Sequence, residues 1–263
     1  MLAPLSADAV GVLAAGSGLE TAALFQLTGG HPFYVCEVVQ AGMDEVPASA
    51  RDAVLARVVS LSSESRELLD AAALIGARVE LRVLDAVMPG RPSAIDELTA
   101  SGLLAGDGPW LKFRHEIARL AVEQAIAAHR RGAVHARILA ALHSLDCDDH
   151  AQMAFHAEGT ADGPAVLRYA PSAARRATEL GSHREAAAQF ERALRFAAQA
   201  DPATVAGLYD ELAYEVTLLD RLQDAADARQ SALGLWRLAG DRLREGDTMR
   251  RLSRTMGPPV PWP

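Results

Sequence analysis

The sequence predicts a mainly α-helical chain in which a small module with one β-hairpin precedes a set of stacked helix pairs. Three observations carry that prediction. Ala, Leu and Arg dominate, and in most segments apolar residues recur at helical spacing instead of alternating. One Gly-Asp-Gly turn, at 106–108, stands between two short apolar stretches, which is the local signature of a hairpin. A helical segment also recurs at an offset of about 39 residues in the second half of the chain.

In chain order, the first 45 residues contain "LTGGHPFYVCEV" (27–38). There a Gly-Gly turn precedes Pro32 at a helix start, with Phe33 and Tyr34 packing behind it. Pro47 stands ahead of an apolar stripe at Ala50, Val54, Leu55 and Val58. Ser62 and Ser63 with Glu64 and Glu67 supply cap chemistry for a helix that runs through Ile75 and ends at Gly76. A short helix near 81–88 stops at Pro89-Gly90, and another from Ser93 carries Ile95 and Leu98 toward Gly102. Small helices followed by a hairpin outline a winged helix, assigned to 46–115. From Arg114 to about His143 one or two helices bury Ile117, Val122, Ile126, Val134, Ile138 and Leu142, within a connecting region at 116–160.

Beyond it, "SHREAAAQFERALRFAA" (182–198) aligns with "RLQDAADARQSALGLWR" (221–237), pairing Ala186 with Ala225, Ala193 with Ala232 and Leu194 with Leu233. Asp162 is followed in step by Asp201, and "GDRLREG" near 240 opens a third unit. Small residues at close-packing positions, and large ones at Phe190, Leu208, Leu212, Val216 and Trp236, suit tetratricopeptide-like helix pairs over 161–256. The prolines of "GPPVPWP" (257–263) lack backbone donors, so this tail cannot continue a helix.

Composition excludes several functions. A net charge of −8 and a pI near 5.5 disfavour a non-specific grip on nucleic acid or an anionic membrane. Cys36 and Cys147 form no C-x-x-C pair, so no disulfide framework or zinc ribbon is expected. No basic leader or run of about 18 apolar residues is present, which places the chain in the cytoplasm. Lys112 is the only lysine, and no glycine loop surrounds it, so a P-loop is excluded. No G-x-S-x-G elbow, H-E-x-x-H or dinucleotide turn occurs, and the expectation is a non-enzyme with no catalytic residue, metal or cofactor.

Taken together, "LTGGHPFYVCEV", "VPASARDAVLARVVSLS", "LLDAAALIGARVEL", "IDELTASGLLAGDG", "LKFRHEIARLAVEQAI" and "YAPSAARRATELGSHREAAAQFERALRFA" resemble, in order, the middle of the large bacterial LuxR-type regulators. Those belong to the signal-transduction ATPases with numerous domains. The resemblance covers about residues 2–255 and implies a lid remnant (1–45), the winged helix and the sensing helices, lying between a P-loop domain and a DNA-reading helix-turn-helix. It implies that the family's Gly-Asn-Pro lid segment falls on Gly30, His31 and Pro32, with histidine in place of asparagine. ATP or ADP would then be held only in company with a P-loop from another chain.

Other clusters carry bland readings. His143, Cys147, Asp148, Asp149, His150 and His156 are ligand types at poor spacing, read as a polar turn with half-buried histidines in which the aspartates cap the next helix. His115 and Glu116 are adjacent on a helix and face different ways. Arg78, Arg82, Arg91 and Lys112 are the candidate DNA contacts of the winged helix, but Glu80, Asp85, Asp96 and Glu97 sit among them. The pairs Arg130-Arg131, Arg175-Arg176 and Arg250-Arg251 read as solvated helix faces, since few aromatics are available for stacking. The expected role is therefore a regulatory protein-interaction fragment. It takes a protein or peptide on the concave face of the helix pairs, with a P-loop domain as one candidate partner. DNA and membranes are disfavoured, and self-association through exposed ends is allowed. The alternatives are a DNA-binding winged-helix regulator and a truncated product without its own activity.

Overall fold

The computed structural model describes residues 4–43 and 46–255. It divides into two compact units, Met1–Asp146 and Cys147–Pro263. The tail at 257–263 lies outside the described residues.

The first unit begins with α1 (Ala7–Ala14), α2 (Thr21–Thr28) and α3 (Pro32–Ala41), which pack on one another. Behind α3's first turn only Tyr34 is buried; Phe33 faces solvent, contrary to the pattern expected for the pair. α4 (Ala48–Val59) leads into α5 (Ser63–Ile75), whose N-cap Ser62 accepts from the Ser65 amide. Glu97 reinforces that cap by accepting from the Ser62 amide at 3.0 Å and the Ser62 hydroxyl at 2.7 Å. Hydrogen bonds from Ser65 and Ser62 hold its carboxyl below the usual range. Gly76 ends α5 at φ 144, a conformation that disfavours any side chain.

Next come β1 (Arg78–Glu80), α6 (Leu81–Val87), α7 (Pro92–Ala100), β2 (Leu104–Asp107) and β3 (Trp110–Phe113). The expected hairpin is part of a three-stranded antiparallel sheet in the order β1-β3-β2. Arg78 lies opposite Lys112 on one side of β3, and Leu104 lies opposite Phe113 on the other. β1 escapes a periodicity reading because it has three residues and only Val79 is buried. α8 (Glu116–Ala125) packs on α4 and α5, and α9 (Ala128–Ser144) on α5 and α6. All six apolar residues expected on their inner side are buried.

The second unit contains α10 (His150–Gly159), α11 (Gly163–Glu179), α12 (His183–Arg195), a 3-10 turn (Ala197–Gln199), α13 (Pro202–Leu218), α14 (Leu222–Ala239) and α15 (Arg242–Thr255). The stretch 116–160 is thus shared: α8 and α9 fall in the first unit, and α10 packs on α11 in the second.

The repeat is visible at its caps. Asp162, Asp201 and Asp241 each accept from the backbone amide three residues ahead, at 3.0 Å, so α11, α13 and α15 start in the same way. It is equally visible in the core, where Ala186 and Ala225, and Ala193 and Ala232, have no accessible surface. Alanine at those positions lets consecutive helices stack closely, and Phe190 is buried between them, worth about 1.5–3 kcal/mol for a large apolar side chain. The second unit is a stack of tetratricopeptide-like helix pairs.

Candidate functional site

In the first unit, the Gly-Gly turn and Pro32 are placed by close packing. Gly29 and Gly30 have φ 58 and 70. A Cβ on Gly30 would come within 2.4 Å of the Leu5 carbonyl, and one on Gly29 within 2.7 Å of His115 Nδ1. His31 is the N-cap of α3 without a side-chain cap bond, and Pro32 occupies the first turn.

The His31 ring lies 4.6 Å from that of Tyr34 and 5.2 Å from that of His115, centroid to centroid, and Tyr34 and His115 are 5.3 Å apart. The structure therefore joins the Gly30-His31-Pro32 segment to His115, which sequence reading kept separate. Nδ1 of each histidine is buried with no hydrogen-bond partner among the described residues. Burial, with the charge of Arg57, pushes the His31 pKa down. Burial, then the charge of His31, brings His115 down to about 4, although its ring also bonds the Thr28 backbone. The rings of His31, Tyr34 and His115 meet in tilted and edge-on contacts beside the glycine turn, and its glycines answer to steric contact on the side facing Leu5 and His115. Glu116 turns elsewhere, to Arg119 at 2.7 Å.

The four basic candidates are distributed over three places. Arg78 and Lys112 meet across the sheet and share Asp107, at 3.3 and 3.9 Å, while Arg78 also covers the Trp110 ring. Arg82 pairs with Glu80 at 2.5 Å, and Arg91 pairs with Glu64. Each cation thus lies beside a carboxylate that a phosphate would have to displace. In the second unit, Asp149 caps α10 by accepting from Gln152, and His156 is fully buried where a half-buried ring was expected.

The second unit also carries a groove of about 550 Å³ crossing α11, α13 and α15. Its floor is Phe190 and Trp236, contributed by α12 and α14. Asp210 on α13 fixes that floor by accepting from Trp236 Nε1 at 2.9 Å and from the Thr248 hydroxyl. Arg175 on α11 binds Glu211 through two 2.8 Å bonds, and the buried Glu215 accepts from Thr178 at 2.7 Å and lies 2.8 Å from His183 Nδ1. The wall carboxylates are therefore held by groups of the fold itself. What remains presented is Tyr214, half exposed, and Arg244, whose guanidinium lies 5.8 Å from the Trp236 ring centroid. An aromatic floor with a rigid polar frame and an exposed Arg244 suits an extended or helical peptide segment.

Sequence reading identified Phe190 and Trp236 as packing residues and Arg175 and Arg251 as members of solvated arginine pairs. All four line the groove. Asp210, Tyr214 and Glu215 were missed; the available signal was their helical spacing on a segment in repeat register with α11.

No family model matches the chain, and no curated protein matches it. Among solved structures, the chain is similar to a signal-transduction ATPase with numerous domains that carries a tetratricopeptide repeat sensor, from Pyrococcus horikoshii. The similarity covers 97% of this chain and 45% of that one, at 13% identity and a TM-score of 0.35. The chain thus spans less than half the length of that protein.

Proposed function

We propose that the chain is a regulatory protein-interaction portion of a LuxR-type signal-transduction ATPase with numerous domains, and that it receives a protein or peptide in the α11–α13–α15 groove. The observation that carries this reading is the groove itself. Its Trp236 and Phe190 floor is braced by Asp210, while Tyr214 and Arg244 are left facing outward. The ordered motif resemblance supports the family assignment. In this reading α5–β1–α6–α7–β2–β3 is a winged-helix joint, Gly30-His31-Pro32 belongs to a lid, and the chain works in the cytoplasm without its own ATP hydrolysis. ATP or ADP enters only with a P-loop from another chain, since the single lysine is on β3 beside Asp107. DNA reading is disfavoured by the carboxylates beside Arg78, Arg82, Arg91 and Lys112.

The test is affinity capture from native lysate with the chain and with its Tyr214→Ala/Arg244→Ala variant. A discrete partner retained by the first and lost from the second is expected. An identical set of captured proteins would overturn the reading.

A further inference from the structure

The charges that line the α11–α13–α15 groove restrict what can enter it. Its carboxylates are already matched by groups of the fold. Asp210 accepts from Trp236 and Thr248, Glu211 from Arg175, and Glu215 from Thr178, while Glu179 pairs with Arg176 and Asp247 with Arg250 and Arg251. Arg175 is in turn held by its two bonds to Glu211, and Arg251 lies 2.8 Å from Asp247. Arg244 differs. It is exposed, its guanidinium lies 5.8 Å from the Trp236 ring centroid, and it makes no ion pair among the described residues. The ring contact orients the guanidinium without neutralising its charge. The groove also has room. Gly207 on α13 lines it, and a Cβ there would meet nothing within 4 Å. Trp236 packs in one cluster with Ala203 and Ala206, which places Arg244 toward the Gly207 end. Seven residues beyond Gly207, and hence on the same helix face, Tyr214 stands half exposed. Two helical turns separate the two positions, about 10 Å, which an extended peptide spans in about three residues.

We propose that the groove is specific for an extended peptide that carries Asp or Glu for Arg244 and, about three residues away, an aromatic or aliphatic side chain that packs on Tyr214. Gly207 gives the peptide backbone room to lie against α13. A basic peptide is disfavoured, because it would bring a cation to Arg244 and find each lining carboxylate already engaged. The proposal rests on the groove reading above and adds the chemistry of its occupant.

The test is selection of random octapeptides displayed on phage against the full chain, followed by fluorescence anisotropy of the strongest binder as a labelled synthetic peptide. A chain of net charge −8 attracts cationic peptides non-specifically. Enrichment of Asp or Glu with an aromatic or aliphatic residue about three positions away is therefore the discriminating result, and the expected one. Arg244→Glu should lose about tenfold or more of the affinity for the selected peptide. A peptide with Lys in place of the acidic residue should bind that variant better than it binds the parent chain. Gly207→Leu should also lose about tenfold or more, by filling the groove. Its circular-dichroism melt should be undiminished, since leucine is the better helix former and its Cβ meets nothing within 4 Å. Selected peptides that lose binding to Gly207→Leu but are neutral or basic, or that bind Arg244→Glu unchanged, overturn the proposal and leave the groove reading standing. No selected peptide, or one that binds Gly207→Leu as well as the parent, overturns both.

Discussion

Asp210 accepts the indole N–H of Trp236 at 2.9 Å, and this one bond ties α13 to α14 while fixing the aromatic floor of the groove. The same carboxylate accepts from Thr248 on α15, so three helices meet at it. Asp210→Ala leaves the buried indole donor without its partner, which costs about 1–3 kcal/mol. Urea unfolding followed by far-UV circular dichroism should show a loss of that size. Trp236→Phe should also destabilise, because it leaves the Asp210 carboxylate short of a donor and opens a cavity beside the smaller ring. Equal stability of Asp210→Ala and the parent chain would show that the bond is not formed in solution.

Four of the turns between second-unit helices use a left-handed residue (Ala161, Gly181, Asp220 and Gly240), and they do so with unequal chemistry. Gly181 and Gly240 occupy φ 71 and 75, whereas Ala161 is held at φ 56 between α10 and α11. An alanine there carries strain of roughly 1–2 kcal/mol that glycine does not, offset in part by glycine's greater freedom when unfolded. Ala161→Gly should therefore raise stability by about 0.5–1 kcal/mol, read from the urea midpoint at unchanged slope. A destabilised variant would contradict the turn geometry.

In the first unit, stability should depend on pH through His115. Its folded pKa, about 4, lies below the usual 6.5, mainly through burial. The unfolded chain thus binds more protons than the folded one between those values. The stabilising contribution is complete above about pH 6.5 and declines as the pH falls toward 4. His31, also depressed, acts in the same direction. Denaturation at about pH 7.5 and about pH 5 should show the parent losing more stability on acidification than His115→Phe, which keeps a ring against His31 and Tyr34. Identical pH responses would remove His115 from the account.

Nucleotide binding offers a separate check. Calorimetry should detect no ATP or ADP binding by the chain alone, because Lys112 is committed to the sheet beside Asp107 and Leu5 and His115 crowd the Gly29-Gly30 turn. A mixture with a P-loop fragment of a related regulator should bind. Heat from the chain alone would restore Gly30, His31 and Pro32 as a self-sufficient phosphate site.

Much of this architecture was legible because the relevant signals are local and repeated. The spacing of Asp162, Asp201 and the segment near 240 marks three helix starts, and Ala186/Ala225 and Ala193/Ala232 mark the seams, each a consequence of one capping bond or one close approach. Strand β1 was not legible: Arg78–Glu80 becomes a strand only because β3 supplies its ladder. The His31–His115 contact was equally hidden, since it depends on tertiary packing that brings α2 and α8 together. Groove residues such as Asp210 and Tyr214 look like ordinary helix-surface residues in sequence, and only the stacking of α11, α13 and α15 separates inner from outer.

The most direct test of the central claim is site-specific photocrosslinking in cells, with a benzophenone amino acid placed at Tyr214 in the groove and, as control, at exposed Val59 on α4. The account predicts a discrete protein adduct from position 214 that is absent from position 59 and that disappears when Arg244 is also changed to alanine. No adduct at 214, or the same adducts at both positions, would contradict it.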